Sequence, residues 1–190
     1  MNKKDIPNAI SMLRIVLVVP IVYFLLNKQF TAALVLFIIA ALSDALDGYL
    51  AKKYNWVTRL GSFLDPLADK FLLVSCFLVC VFIELVPVWL FAIILIRDVV
   101  VAFGALACHF MLEKFHGEPP FSSKLNTALQ ILLLVMIIAG QSLLEIPSNW
   151  INFVLYSVAA TTTVSGIEYI WVWGFKYWNR KEQNKGRDEQ

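Results

Sequence analysis

The sequence predicts an all-α integral membrane protein, built as a bundle of six transmembrane helices with both termini in the cytoplasm. Of its 190 residues, 59% are hydrophobic and 16% are charged, and the mean hydropathy is +0.72. Soluble domains have about 45–50% apolar and about 25% charged residues, so this composition suits lipid rather than water. Six apolar runs separated by short polar breaks predict the number of helices, because a spanning helix needs about 20 apolar residues.

The six runs predict one membrane domain over residues 1–178, followed by a polar cytoplasmic tail at 179–190. We expect the polar residues from 176 onward to fray. We expect the first run to be a retained helix and not a cleaved signal, because Arg14 and Pro20 interrupt its apolar pattern and no A-x-A-type cleavage site follows it. The predicted helices cover 9–26, 31–50, 63–85, 87–112, 124–143 and 150–175.

Lysine and arginine residues indicate which side of the membrane each helix end faces. The termini and the breaks after the second and fourth helices together hold eleven of them, whereas the opposite breaks hold only Lys28. Cytoplasmic segments are enriched in Lys and Arg, so we expect both termini and these two breaks to be cytoplasmic. The eleven residues are Lys3, Lys4, Lys52, Lys53, Arg59, Lys114, Lys176, Arg180, Lys181, Lys185 and Arg187.

The composition also excludes other classes of protein. The apolar content is too high for a disordered chain. A nucleic-acid binder is not expected, because the formal net charge is only +2 and the aromatic residues lie in apolar runs rather than among basic residues. Cys76, Cys80 and Cys108 also lie in apolar runs, so we expect buried thiols rather than a disulfide or zinc framework.

Four aspartates stand out, because a charged side chain in a membrane helix is costly and indicates a functional site. Asp44 and Asp47 are three residues apart at the cytoplasmic end of the second predicted helix. Asp65 and Asp69 are four residues apart at the start of the third. These spacings place each pair on one helix face. A short connection makes the two helices antiparallel neighbours, so we expect the four carboxylates to converge just inside the membrane surface.

The residues around these carboxylates predict a site for a phosphate ester. Four close carboxylates repel one another, and one or two hard divalent cations such as Mg²⁺ or Mn²⁺ would compensate their charge. Gly48 and Gly61 let a bulky ligand approach the backbone closely. Lys52, Lys53 and Arg59 supply positive charge for phosphate.

From Asp44 to Asp69 the chain reads D-x-x-D-G-x-x-A-K-x8-G-x3-D-x3-D. This pattern resembles the signature of the CDP-alcohol phosphatidyltransferases, which has arginine at the position of Lys52. The resemblance implies a six-helix bundle with a two-metal site at its cytoplasmic surface, and a homodimer. It implies that Asp44, Asp47 and Asp65 are metal ligands, and that Asp69 is a ligand or the general base that activates the acceptor hydroxyl. It also implies a CDP site lined by Gly48, Ala51, Lys52 and Gly61.

The chemistry that this resemblance implies is transfer of a phosphatidyl group. The donor is CDP-diacylglycerol, and a hydroxyl of a glycerol-type acceptor attacks its lipid-bearing phosphate with release of CMP. A site at the membrane surface suits this reaction, because the nucleotide comes from water while the acyl tails stay in lipid.

The acceptor has to be predicted from other segments. Three of them, 6-IPNAISMLR-14, 96-IRDVVV-101 and 119-PPFSSKLNTALQ-130, resemble the branch that holds phosphatidylglycerophosphate synthases and CMP-forming cardiolipin synthases. The former tend to carry a K-x-K pair where this chain has Lys124 and Asn126. One cation suits the single charge of phosphatidylglycerol, so we favour this acceptor, giving cardiolipin, over glycerol 3-phosphate, giving phosphatidylglycerophosphate. The candidate acceptor-binding residues are Arg97, Lys124 and Asn126.

Structural roles stay open for several charged residues. Asp65 is placed to cap the third helix ahead of Pro66, and Arg97 and Asp98 are placed to form a polar pair inside the bundle. Arg14 either extends to the inner membrane surface or lies near the acceptor phosphate. Another functional class, a small transporter whose aspartates carry a cation, is disfavoured because transporters place such groups near the membrane midplane.

Overall fold

In the computed structural model of the protein, the described residues are 6–54, 61–111 and 121–188, with side chains at 10–43, 53–54, 68–104, 122–169 and 171. These residues form six α-helices and no β-strand. The prediction of an all-α chain with six helices is therefore confirmed. The helices are α1 (Ile6–Leu26), α2 (Phe30–Tyr54), α3 (Gly61–Phe82), α4 (Val88–Met111), α5 (Phe121–Gly140) and α6 (Ser148–Asp188).

Five helices begin and end within about four residues of the predicted bounds, and α6 is the exception. We expected the last helix to end near residue 175 and the polar tail to fray, but α6 continues to Asp188. No proline follows Pro147, and Lys, Arg, Glu and Gln all have high helix propensity. The change from apolar to polar composition therefore does not mark the end of the helix.

The helices pack in a defined order around an apolar core. α1 packs against α2 and α3, α5 packs against α6 and α2, and α4 packs mainly against α6. Cys76 and Cys80 are buried free thiols within the core, as the sequence predicted. The side chain of Cys108 lies outside the described residues. The completely buried apolar side chains include Ile21, Phe37, Phe77, Leu133, Leu134 and Val158.

Large apolar side chains also cover the outside of the bundle, which is unusual for a soluble protein and suits contact with lipid. Among the described residues, two helical stretches are long and apolar enough to cross a membrane, Ser122–Gly140 and Ser148–Tyr169. Shorter apolar stretches occupy Ile10–Leu26 and Phe30–Ser43. Six spans and the side of the termini stay predictions. The exposed apolar side chains include Val19, Phe103, Trp150, Phe153 and Tyr156.

Tight turns follow α1 and α3. After α3, Glu84 has a left-handed conformation (φ 63°). Its N–H donates to the Val81 carbonyl at 3.0 Å, and the Leu85 N–H donates to the Cys80 carbonyl at 2.8 Å. This pair of bonds is the Schellman pattern, which satisfies carbonyls at a helix end. Lys28 (φ 56°) follows α1 with the same pattern.

The α1–α2 and α5–α6 turns lie at the same end of the bundle. Lys28, Gln29 and Thr31 from the first turn and the start of α2 line one surface depression with Gln141 and Ser142 from the other. We call this the Lys28 end. Because consecutive helices run in opposite directions, the starts of α3 and α5 lie at the opposite end, where the sequence predicts the active site.

Replacing Glu84 by glycine should stabilise the protein. The left-handed conformation costs an L-amino acid about 1–2 kcal/mol, whereas glycine adopts it readily. We predict that Glu84→Gly raises the midpoint of thermal unfolding in detergent by about 2–4 °C. Glu145→Gly is the matched control, because Glu145 is also an exposed turn glutamate but has no positive φ. A midpoint for Glu84→Gly that does not exceed that of the control would contradict this role of the turn.

Candidate functional site

The backbone places the four predicted catalytic aspartates on two helices that both pack against α1. Asp44 and Asp47 lie one turn apart on α2, and Asp65 and Asp69 lie one turn apart on α3. Asp69 is partly buried, whereas the side chains of the other three lie outside the described residues. Convergence of the four carboxylates therefore stays a prediction. The same applies to the predicted CDP-site residues, Gly48, Ala51, Lys52 and Gly61, whose side-chain positions are also outside the described set.

The predicted metal site depends largely on side chains outside the described set. Within that set, no three His, Cys, Asp or Glu residues form a group able to hold a metal ion. The predicted donors nevertheless fit Mg²⁺ or Mn²⁺, because they are carboxylates alone, two on α2 and two on α3.

A cluster of ion pairs begins at the residue after Asp69. Lys70 Nζ donates to Asp98 Oδ1 at 2.8 Å, and Arg97 Nη1 donates to the same oxygen at 2.8 Å. The side chains of Arg97 and Asp98 are only 4% and 11% exposed, whereas that of Lys70 is 34% exposed. The shared carboxylate therefore links α4 to α3, although α4 packs mainly against α6.

Arg97 extends this cluster to two more helices. Its Nη2 donates to Ser123 Oγ of α5 at 2.7 Å and to Ser165 Oγ of α6 at 2.8 Å. Its guanidinium carbon lies 5.7 Å from the centroid of the Tyr169 ring, within the range of a cation–π interaction. These contacts support a structural role for Arg97. Its role in acceptor binding stays a prediction.

The two other candidate acceptor-binding residues have different environments. Lys124 is exposed in the first turn of α5, whereas Asn126 is completely buried. Asn126 Oδ1 accepts hydrogen bonds from the hydroxyls of Thr162 at 2.7 Å and Thr161 at 3.0 Å, both on α6. The structure therefore places Asn126 inside the bundle and Lys124 on its surface.

Polar side chains continue along the contact between α5 and α6. Ser122 donates a hydrogen bond to the carboxylate of Glu168, and Gln130, one turn beyond Asn126 on the same face of α5, is completely buried. We call this row the polar seam, and it extends about 12 Å from Ser122 to Gln130 at 1.5 Å per residue. Its members are Ser122, Ser123, Asn126 and Gln130 on α5, and Thr161, Thr162, Ser165 and Glu168 on α6.

Other polar residues in the bundle differ from the sequence prediction or are absent from it. Arg14 is completely buried within the bundle, which the sequence did not indicate. Lys70, Gln130 and Ser165 are not among the predicted site residues. Lysine and glutamine within apolar runs are signals that point to them. Serine is a weak signal, because its hydroxyl can bond to the backbone of its own helix.

Removing the shared carboxylate should destabilise the protein more than removing its more exposed partner. Asp98→Asn leaves the buried Arg97 without its counterion, and breaking a buried pair in this way costs about 3–5 kcal/mol. Lys70→Met removes a cation that is 34% exposed, for which about 0–1 kcal/mol is expected. We therefore predict a larger fall in the thermal midpoint for Asp98→Asn. An equal fall for both variants would show that the Arg97–Asp98 ion pair adds nothing to the stability of the protein.

Known proteins are similar to this chain over most of its length. A profile of the CDP-alcohol phosphatidyltransferase family matches residues 4–165. The chain is 34% identical over 184 residues to the cardiolipin synthase (CMP-forming) of Rattus norvegicus, covering 88% of this chain. It is 32% identical over 188 residues to the CDP-diacylglycerol–glycerol-3-phosphate 3-phosphatidyltransferase of Bacillus subtilis, covering 87% of this chain and 93% of that protein. The Aquifex aeolicus protein of the same name is 36% identical over 126 residues, 65% of this chain and 69% of that protein.

The chain spans only 61% of the length of the rat and human cardiolipin synthases that it matches. The region matched by the family profile contains the whole aspartate motif, from Asp44 to Asp69, and extends to Ser165 of the Arg97 cluster. The resemblance stated for the motif is therefore confirmed over most of the sequence. The chain belongs to the CDP-alcohol phosphatidyltransferase family.

Proposed function

We propose that this protein transfers a phosphatidyl group from CDP-diacylglycerol to a glycerol-type hydroxyl acceptor and releases CMP, as a step in phospholipid synthesis. The observation that carries the proposal is the aspartate motif, which lies within the matched family region and supplies four carboxylates on α2 and α3. The alternative of a cation-coupled transporter has no support from the family match.

The proposal includes a multi-pass arrangement with six spans, cytoplasmic termini and an active site at the cytoplasmic end. The uneven distribution of Lys and Arg and the two long apolar stretches support it. The alternating helix directions also support it, because they place the starts of α3 and α5, the helices of Asp69 and Ser123, at the end opposite the Lys28 end. A homodimer is expected from the family resemblance.

The four aspartates would hold one or two Mg²⁺ or Mn²⁺ ions. When bound, such ions polarise the phosphorus of the donor and neutralise charge on the leaving phosphate. The lysine at position 52 keeps the positive charge of the family's arginine but loses its two-pronged hydrogen bonding. The residues that would bind the CDP part of the donor are Gly48, Ala51, Lys52 and Gly61.

Asp69 is the proposed general base. Its carboxylate takes the proton of the acceptor hydroxyl while that oxygen forms a bond to the lipid-bearing phosphorus. The bond from phosphorus to the CMP oxygen breaks, and CMP leaves with the electron pair. The Lys70–Asp98 ion pair restrains this turn of α3 relative to α4. Such restraint matters, because a displacement of about 1 Å can lower a rate about 100-fold.

The proposed acceptor is phosphatidylglycerol, which gives cardiolipin. The rat and human relatives are named cardiolipin synthases, whereas the B. subtilis and A. aeolicus relatives are named for transfer to glycerol 3-phosphate. In this chain Lys124 provides one exposed cation at the start of α5. Asn126 is a neutral amide at the position where a second cation would favour a doubly charged acceptor. One cation suits the singly charged phosphodiester of phosphatidylglycerol. Glycerol 3-phosphate is the second candidate acceptor.

Activity should require a divalent cation. Excess EDTA should abolish CMP release from CDP-diacylglycerol, and Mg²⁺ or Mn²⁺ should restore it, because carboxylates alone form the predicted site. Asp44→Asn, Asp47→Asn and Asp65→Asn should lose metal binding and activity together. Asp69→Asn should lower kcat more than donor affinity, because it removes the base.

Glu145→Gln is the control for these variants, because Glu145 is an exposed carboxylate in the α5–α6 turn at the Lys28 end; it should retain full activity. Turnover that persists in EDTA would exclude the metal site. Unchanged turnover by Asp69→Asn would exclude this residue as the base.

Identification of the product separates the two acceptors. With radiolabelled CDP-diacylglycerol, the purified protein should convert phosphatidylglycerol to cardiolipin and form little phosphatidylglycerophosphate from glycerol 3-phosphate. Asn126→Lys is not a clean test of the charge argument, because Asn126 is completely buried and bonded to α6. If the protein makes phosphatidylglycerophosphate readily and no cardiolipin, the acceptor assignment fails while the donor chemistry stands.

A further inference from the structure

The innermost residue of the polar seam, Gln130, has no role in the reaction described above. It is completely buried, and neither its Oε1 nor its Nε2 has a hydrogen-bond partner in the described part of the structure. One turn nearer the active-site end, Asn126 is equally buried, and its Nδ2 also has no partner there. A spacing of four residues places the two amides on the same face of α5.

Buried amides of this kind are unusual in a helix core. Buried polar side chains are almost always hydrogen-bonded, because an unpaired one has lost its hydration without compensation. On the next turn of α5, Leu133 and Leu134 are completely buried and purely apolar. An apolar residue at position 130 would continue that core, so the amide of Gln130 indicates a polar binding partner.

The unpaired atoms indicate the chemistry of that partner. Nδ2 of Asn126, Nε2 of Gln130 and the buried Nε of Arg97 are donors without acceptors among the described residues, and Oε1 of Gln130 is an acceptor. Phosphate and hydroxyl oxygens suit the donors, and a hydroxyl hydrogen suits the acceptor. The glycerol phosphate group, common to both candidate acceptors, carries all of these atoms.

A chain of polar contacts links the polar seam to α3, the helix of the proposed base. Ser123 is bonded to the guanidinium that also binds Asp98, and Asp98 binds Lys70, the residue after Asp69. From Ser123 the seam runs about 10 Å into the bundle to Gln130.

We infer that Gln130, together with Asn126, binds the polar head group of the acceptor. The inference rests on the proposed function and deepens it, because it adds a residue that determines acceptor affinity. It places the acceptor between α5 and the proposed base on α3, and the donor with the aspartate motif of α2 and α3.

The test compares Gln130→Leu with wild type in detergent micelles, using CDP-diacylglycerol and either phosphatidylglycerol or glycerol 3-phosphate, whichever the wild type uses. The acceptor KM should rise at least tenfold, equivalent to 1.4 kcal/mol, while the KM for CDP-diacylglycerol stays within twofold. The thermal midpoint should not fall, because the substitution removes an unpaired buried amide. Gln130→Met gives a second apolar variant with a more adaptable side chain, in case Gln130→Leu does not fold.

Thr127→Val is the matched control on the same helix, because the Thr127 hydroxyl donates only to the Ser123 carbonyl of its own helix, at 3.2 Å; it should change neither KM. An unchanged acceptor KM for Gln130→Leu would overturn the inference. A rise in both KM values together with a lower midpoint would also overturn it, since that result indicates a structural role. If the wild type releases no CMP with either acceptor, the proposed function itself fails.

Discussion

One oxygen of Asp98 accepts hydrogen bonds from Lys70 of α3 and Arg97 of α4, and the polar interior of the bundle depends on this shared contact. Two cations held together in an apolar interior would repel each other, and the carboxylate between them removes that repulsion. With one end of its guanidinium fixed in this way, Arg97 directs the other end to serines of α5 and α6. A single, largely buried carboxylate, directly and through Arg97, thereby links four helices.

Most of the fold was predictable because apolar runs of membrane-spanning length leave few choices of secondary structure. The exception is α6, because its composition changes while its conformation does not. Its residues become polar near position 176, but the helix continues to Asp188. Hydrophobicity reports the solvent that a helix meets, whereas helix propensity and the absence of proline decide where it ends. The sequence also predicted short breaks after the first and third helices, without indicating that Lys28 and Glu84 adopt left-handed conformations.

The aspartate motif was predictable because its charges interrupt apolar helices at helical spacing. The network around Arg97 was not, because its partners on α5 and α6 are 26 and 68 residues away in the sequence. Serine and threonine carry little information alone, since each can bond to its own helix backbone instead. Asn126 shows the same limit: the sequence predicted a neutral amide in place of a second cation at the acceptor site, but not that it is buried and bonded to two threonines of α6.

The turns at the Lys28 end have a mechanical consequence for the opposite end. The Schellman turn after α3 joins it to α4 through only five residues, so the two helices are held together there, and any change in the angle between them pivots about that turn. Asp69 lies thirteen residues before Phe82, about 20 Å from the pivot. On a lever of that length a tilt of about 5° moves the proposed base by roughly 2 Å. The Lys70–Asp98 contact, next to Asp69, restrains such a tilt, as does the packing of α3 against α1.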